Sequence, residues 1–149
     1  MSASDVLLAS RMIWWRISLP VLLRRKPLRD VVGRSSDGAQ RFGSETNAMR
    51  YARRLWRSSK GTCLERSVAL YLELRRLDAG PRLVLGFATG SERVGHAWVE
   101  LNGKPVLESS DPRSTYTELL AFGPDGSVVG ADGAPGANVG THGVRQLRG

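Results

Sequence analysis

The chain has 149 residues, of which 41% are hydrophobic and 24% charged, a balance that is ordinary for one globular domain. Its single cysteine, Cys63, excludes a framework of internal disulfides and fits a reducing compartment. The net charge of +8 is uneven, since residues 1–60 contain 13 lysines and arginines against 4 acids, and residues 61–149 contain 9 against 10. The basic half predicts either a solvated face or attraction to an acidic partner, a nucleic acid or a membrane surface.

The N-terminal segment, residues 1–45, predicts a basic helical region. Leu8, Met12 and Trp15 recur at helical spacing, and Pro20 is expected to kink or restart the helix. The apolar stretch around Pro20 is shorter than the roughly 20 residues of a membrane span, and its flanking charges do not suit a cleavable signal. We therefore expect a soluble cytoplasmic protein without stable membrane insertion.

The hydrophobic pattern of residues 46–122 predicts helices followed by an antiparallel sheet, which is the arrangement of the α+β class. The first helix, 46–56, has an arginine-rich face that we interpret as solvated, because it lacks the exposed aromatic residues of a nucleic-acid binder. The second helix begins at Cys63 and ends near Asp78. Beyond it the hydrophobic period changes to two, which predicts strands over residues 82–88, 94–101 and 104–108. Residues 123–149 are rich in glycine and alanine and predict a flexible tail.

Cys63 is predicted to lie in the first turn of its helix, directly after the candidate N-cap Thr62. There the positive end of the helix dipole favours a negatively charged sulfur, and free backbone N–H groups can hold an oxyanion. A buried structural cysteine is the alternative, because free cysteine is among the most buried residue types. The position at a helix start, with a histidine downstream, favours a nucleophile.

His96 lies on the second predicted strand, and two acids, Glu108 and Asp111, follow it. A thiol, an imidazole and a carboxylate in that order are the groups of a cysteine-type acyl-transfer site. The alternative for His96 is a structural histidine whose hydrogen bonds are all made within the sheet. One of the two acids must be a solvated surface charge. With one cysteine and two histidines in the chain, we expect no metal site and no other cofactor.

The hairpin after His96 determines which acid faces it. A two-residue turn pairs Leu101 with Lys104 and puts Asp111 on the face of His96. A three-residue loop with a bulge instead puts Glu108 opposite His96. Side-chain alternation favours the bulged loop, because only that register leaves one face wholly apolar. We therefore predict that Glu108 orients His96, with Asp111 as the fallback.

Two further residues share the predicted face of His96. Trp98 is expected to wall the site, exclude water and contact the substrate. Glu100 is expected to pair with Lys104 across the two strands.

The motif Cys63-Leu64-x-Arg66-Ser67-x-Ala69-Leu70, the segment Gly95-His96-Ala97-Trp98-Val99-Glu100 and an acid twelve residues after the histidine resemble the transglutaminase-like B2 peptidases of lasso peptide biosynthesis. The resemblance covers roughly residues 50–122, and the basic, Trp-containing N-terminal segment is also similar. The family usually has aspartate where this chain has Glu108.

The resemblance implies a papain-like/transglutaminase-like fold in which Cys63 is the nucleophile, His96 the general base and Glu108 the third member of the triad. It implies a peptidase that cuts the leader from a ribosomally made (RiPP) precursor peptide. It also implies a separate leader-binding B1 recognition protein as a partner, and a lasso cyclase that acts on the freed core. We further expect the basic N-terminal helices to dock the leader-binding partner.

Two other functions compete with this interpretation. The same site could transfer an acyl group to an amine instead of water, since the two reactions differ only in what resolves the acyl-enzyme. A non-enzymatic basic adaptor that binds nucleic acid or a membrane through residues 10–60 is the second, and it predicts binding that falls steeply with salt.

Overall fold

The computed structural model of the chain describes residues 2–33, 41–57, 62–88 and 94–130. The helices are α1 (Ala3–Arg25), α2 (Leu28–Val32), α3 (Glu45–Leu55) and α4 (Cys63–Arg76), with a 3₁₀ turn at Pro112–Ser114. The strands are β1 (Arg82–Ala88), β2 (Gly95–Leu101), β3 (Lys104–Val106), β4 (Tyr116–Phe122) and β5 (Val128–Val129). The predicted α+β class is confirmed.

The five strands form one antiparallel sheet in the order β3-β2-β1-β4-β5. Helix α4 packs on one face of it, and the main core joins Val68 and Leu72 of that helix to Leu83, Val99 and Phe122 of the sheet. The opposite face has a smaller apolar cluster around Val84, Trp98 and Ala121. The sheet is therefore covered mainly from one side, and α4 is the helix that lies against it.

Helix α1 is continuous through Pro20, so the predicted restart at that residue is wrong, and the predicted kink stays a prediction. A proline removes one main-chain hydrogen bond from a helix, but tertiary burial can outweigh that cost. Here Trp15 and Leu19 are buried in the main core before Pro20, and Leu22 and Leu23 pack against the same core after it.

The N-terminal segment shares its core with the rest of the chain, because α1 packs against both α3 and α4. The division at residue 45 stays a prediction. The segment predicted as a tail starts at residue 123, and within it β5 pairs with β4, with Ala121 opposite Val129. Residues 131–149, which include the remainder of that segment, lie outside the described residues.

Candidate active site

The N-terminal turn of α4 has the predicted form. Thr62 is the N-cap, and its hydroxyl oxygen accepts a 3.1 Å hydrogen bond from the backbone N–H of Glu65. The backbone N–H of Arg66 bonds to the Thr62 carbonyl at 3.2 Å. The first four N–H groups of a helix have no partner within it unless a cap supplies one. The Thr62 side chain supplies a partner for the amide of Glu65, and among the described residues no partner is found for the amides of Cys63 and Leu64.

His96 and Glu108 are in direct contact. The His96 Nε2 atom lies 3.0 Å from Oε2 of Glu108, and the side chains are only 18% and 13% exposed. The other carboxylate oxygen, Oε1, accepts a 2.8 Å hydrogen bond from the guanidinium of Arg66. Arg66 thus holds the carboxylate so that its second oxygen faces the imidazole.

Arg66 also connects this pair to Cys63, because it lies three residues after Cys63 on the same helix. Ser67 fixes the helix against the strand of His96, since its buried hydroxyl donates a 2.8 Å hydrogen bond to the carbonyl of Ala97. Cys63 lies four residues, about 6 Å along the helix axis, before Ser67. Two separate contacts therefore hold the start of α4 next to the start of β2.

The Cys63 thiol is free and partly exposed, and within the described residues it makes no hydrogen bond to His96. In ligand-free enzymes such contacts are often long and tighten only when substrate binds. Because Nε2 of His96 is bound to Glu108, Nδ1 is the ring nitrogen that remains for exchanging a proton with a thiol.

The hairpin has the register that the sequence analysis rejected. Leu101 pairs with Lys104 across a two-residue turn, and Asn102 and Gly103 both have positive φ, at 51° and 75°. This is the mirror-image turn that matches the twist of a hairpin, and an asparagine–glycine pair suits it. The predicted bulged loop is therefore wrong.

Glu108 nevertheless contacts His96, but the alternation of side chains along a strand does not explain this contact. Strand β3 ends at Val106, and Leu107 has φ of 61°, in the left-handed region that non-glycine residues seldom adopt. This reversal takes Glu108 out of the strand pattern and directs its carboxylate to the imidazole. The predicted contact is present, although the argument that led to it was wrong.

Asp111, the fallback acid, is not in the site. It caps the 3₁₀ turn by accepting a hydrogen bond from the backbone N–H of Arg113. Its carboxylate also forms an exposed ion pair with the Arg113 guanidinium. The hydrogen bond from the Arg113 side chain lowers the pKa of Asp111 from its ordinary value. Asp111 is thus occupied locally, as a surface charge.

Two aromatic rings stack on His96. The Tyr116 ring lies 4.9 Å from the imidazole centroid at 28°, and the Trp98 ring lies at 6.0 Å and 21°. Trp98 is only 1% exposed, so it can support the imidazole but offers almost no surface to a substrate, contrary to the predicted contact.

The indole N–H of Trp98 donates a hydrogen bond to Glu100 at 3.0 Å. Glu100 pairs with Arg82 and not with Lys104 as predicted, because the observed register puts Arg82 directly opposite it.

Sequence reasoning missed three supporting residues. Arg66 and Ser67 belong to the motif that contains Cys63, and their spacing of three and four residues already placed them on its helix face. Tyr116 had no such signal, because β4 reaches the site by pairing with β1, far from it along the chain.

The model of the Transglutaminase-like superfamily matches residues 5–121, which is most of the chain. Comparisons with curated proteins and with solved structures gave no match. The match begins near the start of α1 and ends in β4, so it includes the helix that begins at Cys63 and the strand that contains His96. The chain therefore belongs to the Transglutaminase-like superfamily, with an activity of the cysteine peptidase or transferase type.

Proposed function

We propose that the protein is a cysteine peptidase that removes the leader peptide from a ribosomally made lasso peptide precursor. The observation that carries the proposal is the His96–Glu108 pair, which Arg66 ties to the helix that begins at Cys63. The superfamily supports the thiol chemistry. The motifs around Cys63 and His96, which resemble the B2 peptidases, support the substrate.

The proposed reaction has two halves. The Cys63 thiolate attacks the carbonyl carbon of the last leader residue, and the His96 imidazolium gives its proton to the amine of the core peptide as the C–N bond breaks. This leaves the leader as a thioester on Cys63. Water then attacks the thioester while neutral His96 accepts a proton, which releases the leader acid and the free thiol.

Each neighbour has a role in this scheme. Glu108 accepts a hydrogen bond from Nε2 and stabilises the positive charge that forms on His96, while Nδ1 faces the reacting groups. Arg66 acts as a positioning residue, because it fixes the carboxylate and does not touch the imidazole. The free amides of Cys63 and Leu64 are the proposed donors to the oxyanion. Glutamate in place of the usual aspartate is accommodated by the turn at Leu107.

The partner surface that we propose is the outward face of α1. Trp14 is 52%, Ile17 71% and Val21 48% exposed along one side of the helix, whereas the other side is buried. Exposed apolar patches of this kind are typical of protein or membrane contacts. The helix is also long and apolar enough to span a membrane by length and composition alone. Because its other face is part of the core, we propose that the leader-binding B1 protein covers it and that the enzyme is cytoplasmic.

This docking surface can be tested by the substitution Ile17→Asp, read out as binding to the B1 protein by titration calorimetry. Deleting residues 1–30 is unsuitable, because it also removes Leu8, Met12 and Trp15 from the core. Normal binding by a folded Ile17→Asp protein would contradict the proposed surface. Asn102→Asp, in the exposed hairpin turn outside α1, adds the same negative charge and is the matched control.

The activity is tested by mass spectrometry of a candidate precursor mixed with its B1 protein and either the wild type or the Cys63→Ala variant. Cleavage at the leader–core junction by the wild type alone supports both the reaction and the nucleophile. Cleavage by both proteins contradicts Cys63 as the nucleophile. A leader–amine adduct formed in the presence of an added primary amine, with no hydrolysed leader, would show that the enzyme is a transferase and not a peptidase.

A further inference from the structure

A groove of about 740 Å³ lies between α3 and the end of β3. One wall consists of four arginines, of which Arg50, Arg53 and Arg54 lie on α3 and Arg57 lies two residues beyond its end. The apolar part of its lining is Met49, Val106 and Leu107. We call this feature the arginine groove. The sequence predicted only a solvated basic face here, whereas the structure shows that face to be one side of a concave surface.

The charge of the arginine groove is only weakly offset by acids among the described residues, since Asp5 interacts electrostatically with Arg50 but forms no ion pair with it. All four arginines are exposed, and none of them takes part in the ion pairs found among residues 2–33, 41–57, 62–88 and 94–130. Like charges three and four residues apart on a helix repel one another and destabilise it. An acidic ligand would remove that repulsion, which makes the groove electrostatically suited to one.

The arginine groove also adjoins the candidate active site. Leu107 lines the groove, and the next residue, Glu108, is bonded to His96. The positive φ of Leu107 turns the chain from one to the other. Arg50 and Arg54, four residues apart on α3, are separated by about 6 Å along the helix axis, which is about two residues of an extended peptide.

We propose that the arginine groove binds an acidic segment of the peptide substrate close to the scissile bond. Carboxylates of that segment pair with the arginines, and an apolar side chain between them packs on Met49, Val106 and Leu107. This inference rests on the proposed function, because it supplies the chemical class of the substrate for that site. It makes α3, and not the buried Trp98, the main surface for recognising the substrate.

A peptide fits this surface better than a nucleic acid does. A phosphate backbone would use the arginines but has no apolar group for the part of the groove formed by Met49 and Leu107. Single-strand binders add aromatic side chains on which bases stack, and none is among the residues that line this groove.

The test measures binding by fluorescence anisotropy in the Cys63→Ala background, where no cleavage can occur. The probe is a labelled heptapeptide of alternating glutamate and leucine. The controls are the same peptide with glutamine for glutamate, the same peptide with alanine for leucine, and a single-stranded oligonucleotide of equal charge. The groove variant is Arg53→Gln/Arg54→Gln, and its matched control is Arg24→Gln/Arg25→Gln, which removes the same charge from the last turn of α1.

We expect the groove variant to weaken binding of the acidic peptide by about tenfold, and the α1 variant to change it less than about twofold. The glutamine and alanine peptides should both bind more weakly than the probe. Equal weakening by the two variants, equal binding of the glutamine peptide, or tighter binding of the oligonucleotide would each overturn the proposal. Circular dichroism checks that the variants are folded, and Arg50→Gln/Arg57→Gln is the second groove variant.

This experiment is independent of the reaction. If the wild-type protein cleaves no precursor but the variant series behaves as expected, the proposed peptidase fails and the acidic-peptide site stands. If cleavage occurs and the groove variant binds normally, the peptidase stands and the groove proposal fails.

Discussion

The two ends of α4 use similar side chains for different purposes. Near its start, Arg66 holds Glu108, and Glu108 holds His96. Near its end, the fully buried Glu73 accepts hydrogen bonds from Arg11, Trp15 and Arg76 at 2.8 to 2.9 Å. Both are carboxylates that contact an arginine and a ring nitrogen.

The difference lies in burial and in what the partners can do. Glu73 has two arginines and an indole, none of which loses its proton near neutral pH, and it has no access to solvent. Glu108 is bound by one arginine and by a histidine, the side chain that most often acts as a general acid or base in catalysis, and both Glu108 and His96 retain some exposure. An arginine–carboxylate cluster therefore indicates a catalytic site only where it also contains an accessible group that can donate and accept a proton. The following substitutions separate the two ends, from the largest expected effect to the smallest.

Replacing Glu108 by glutamine should lower kcat for precursor cleavage by about 10³- to 10⁴-fold, because His96 loses the group that orients it and stabilises its positive charge. The free energy of unfolding should fall less than it does for Glu73→Gln, since the Glu108 side chain keeps 13% exposure whereas that of Glu73 has none. Single-turnover kinetics and denaturant unfolding measure the two quantities. Asp111→Asn is the matched control, and a comparable loss of activity there would mean that the wrong acid had been assigned.

Replacing Glu73 by glutamine should have the opposite pattern. It removes the carboxylate from its ion pair with the buried guanidinium of Arg76, and breaking a buried pair costs about 3–5 kcal/mol of stability. The rate of cleavage per folded molecule should stay unchanged, because the cluster lies at the other end of α4. Urea unfolding gives the stability, and a specific loss of kcat in the folded fraction would contradict the division between the two ends.

Replacing Arg66 by glutamine tests whether it acts only through Glu108. We expect kcat to fall by about 10- to 100-fold, as for other groups that orient a reacting side chain. KM should change little, and the acidic limb of the pH–rate profile should shift, which a purely structural role would not produce. In the Glu108→Gln background the same substitution should add almost nothing, and full additivity of the two losses would argue against coupling.

Replacing Tyr71 by phenylalanine should have the smallest effect, a loss of about 1 kcal/mol of stability near neutral pH. The Tyr71 hydroxyl donates a 2.6 Å hydrogen bond to the carbonyl of Gly123 in the buried half of the helix. Burial raises the pKa of Tyr71 to about 12.

An unfolded tyrosine titrates near pH 10, so this contribution is complete below about pH 10 and is lost as the pH rises toward about 12. The stability difference between wild type and Tyr71→Phe should therefore shrink over that window in urea titrations at several pH values. A difference that stayed constant would show that Tyr71 ionises alike in both states.

The features that the sequence predicted correctly are those determined by neighbouring residues in the chain. The start of α4 at Cys63 follows from a threonine cap with glutamate three residues later, and β1 follows from a change in hydrophobic period at Pro81. Both signals lie within a few residues of the element that they define.

What it could not predict depends on backbone conformation or on distant pairing. The contact between Glu108 and His96 requires a positive φ at Leu107, and leucine gives no sign of it. The buried Glu73 cluster joins α4 to α1, and Tyr116 reaches His96 through the pairing of β4 with β1. Periodicity within one element contains no information on such contacts.

The most direct test of the central claim, that His96 and Glu108 activate Cys63, requires no substrate. Because Cys63 is the only cysteine, intact-mass measurement of iodoacetamide labelling near neutral pH reports on that thiol alone. We predict that the wild type is labelled about tenfold faster than His96→Gln, with Glu108→Gln also slowed, and that all three proteins react alike in denaturant. Equal labelling rates for the folded wild type and the folded His96→Gln variant would contradict the account.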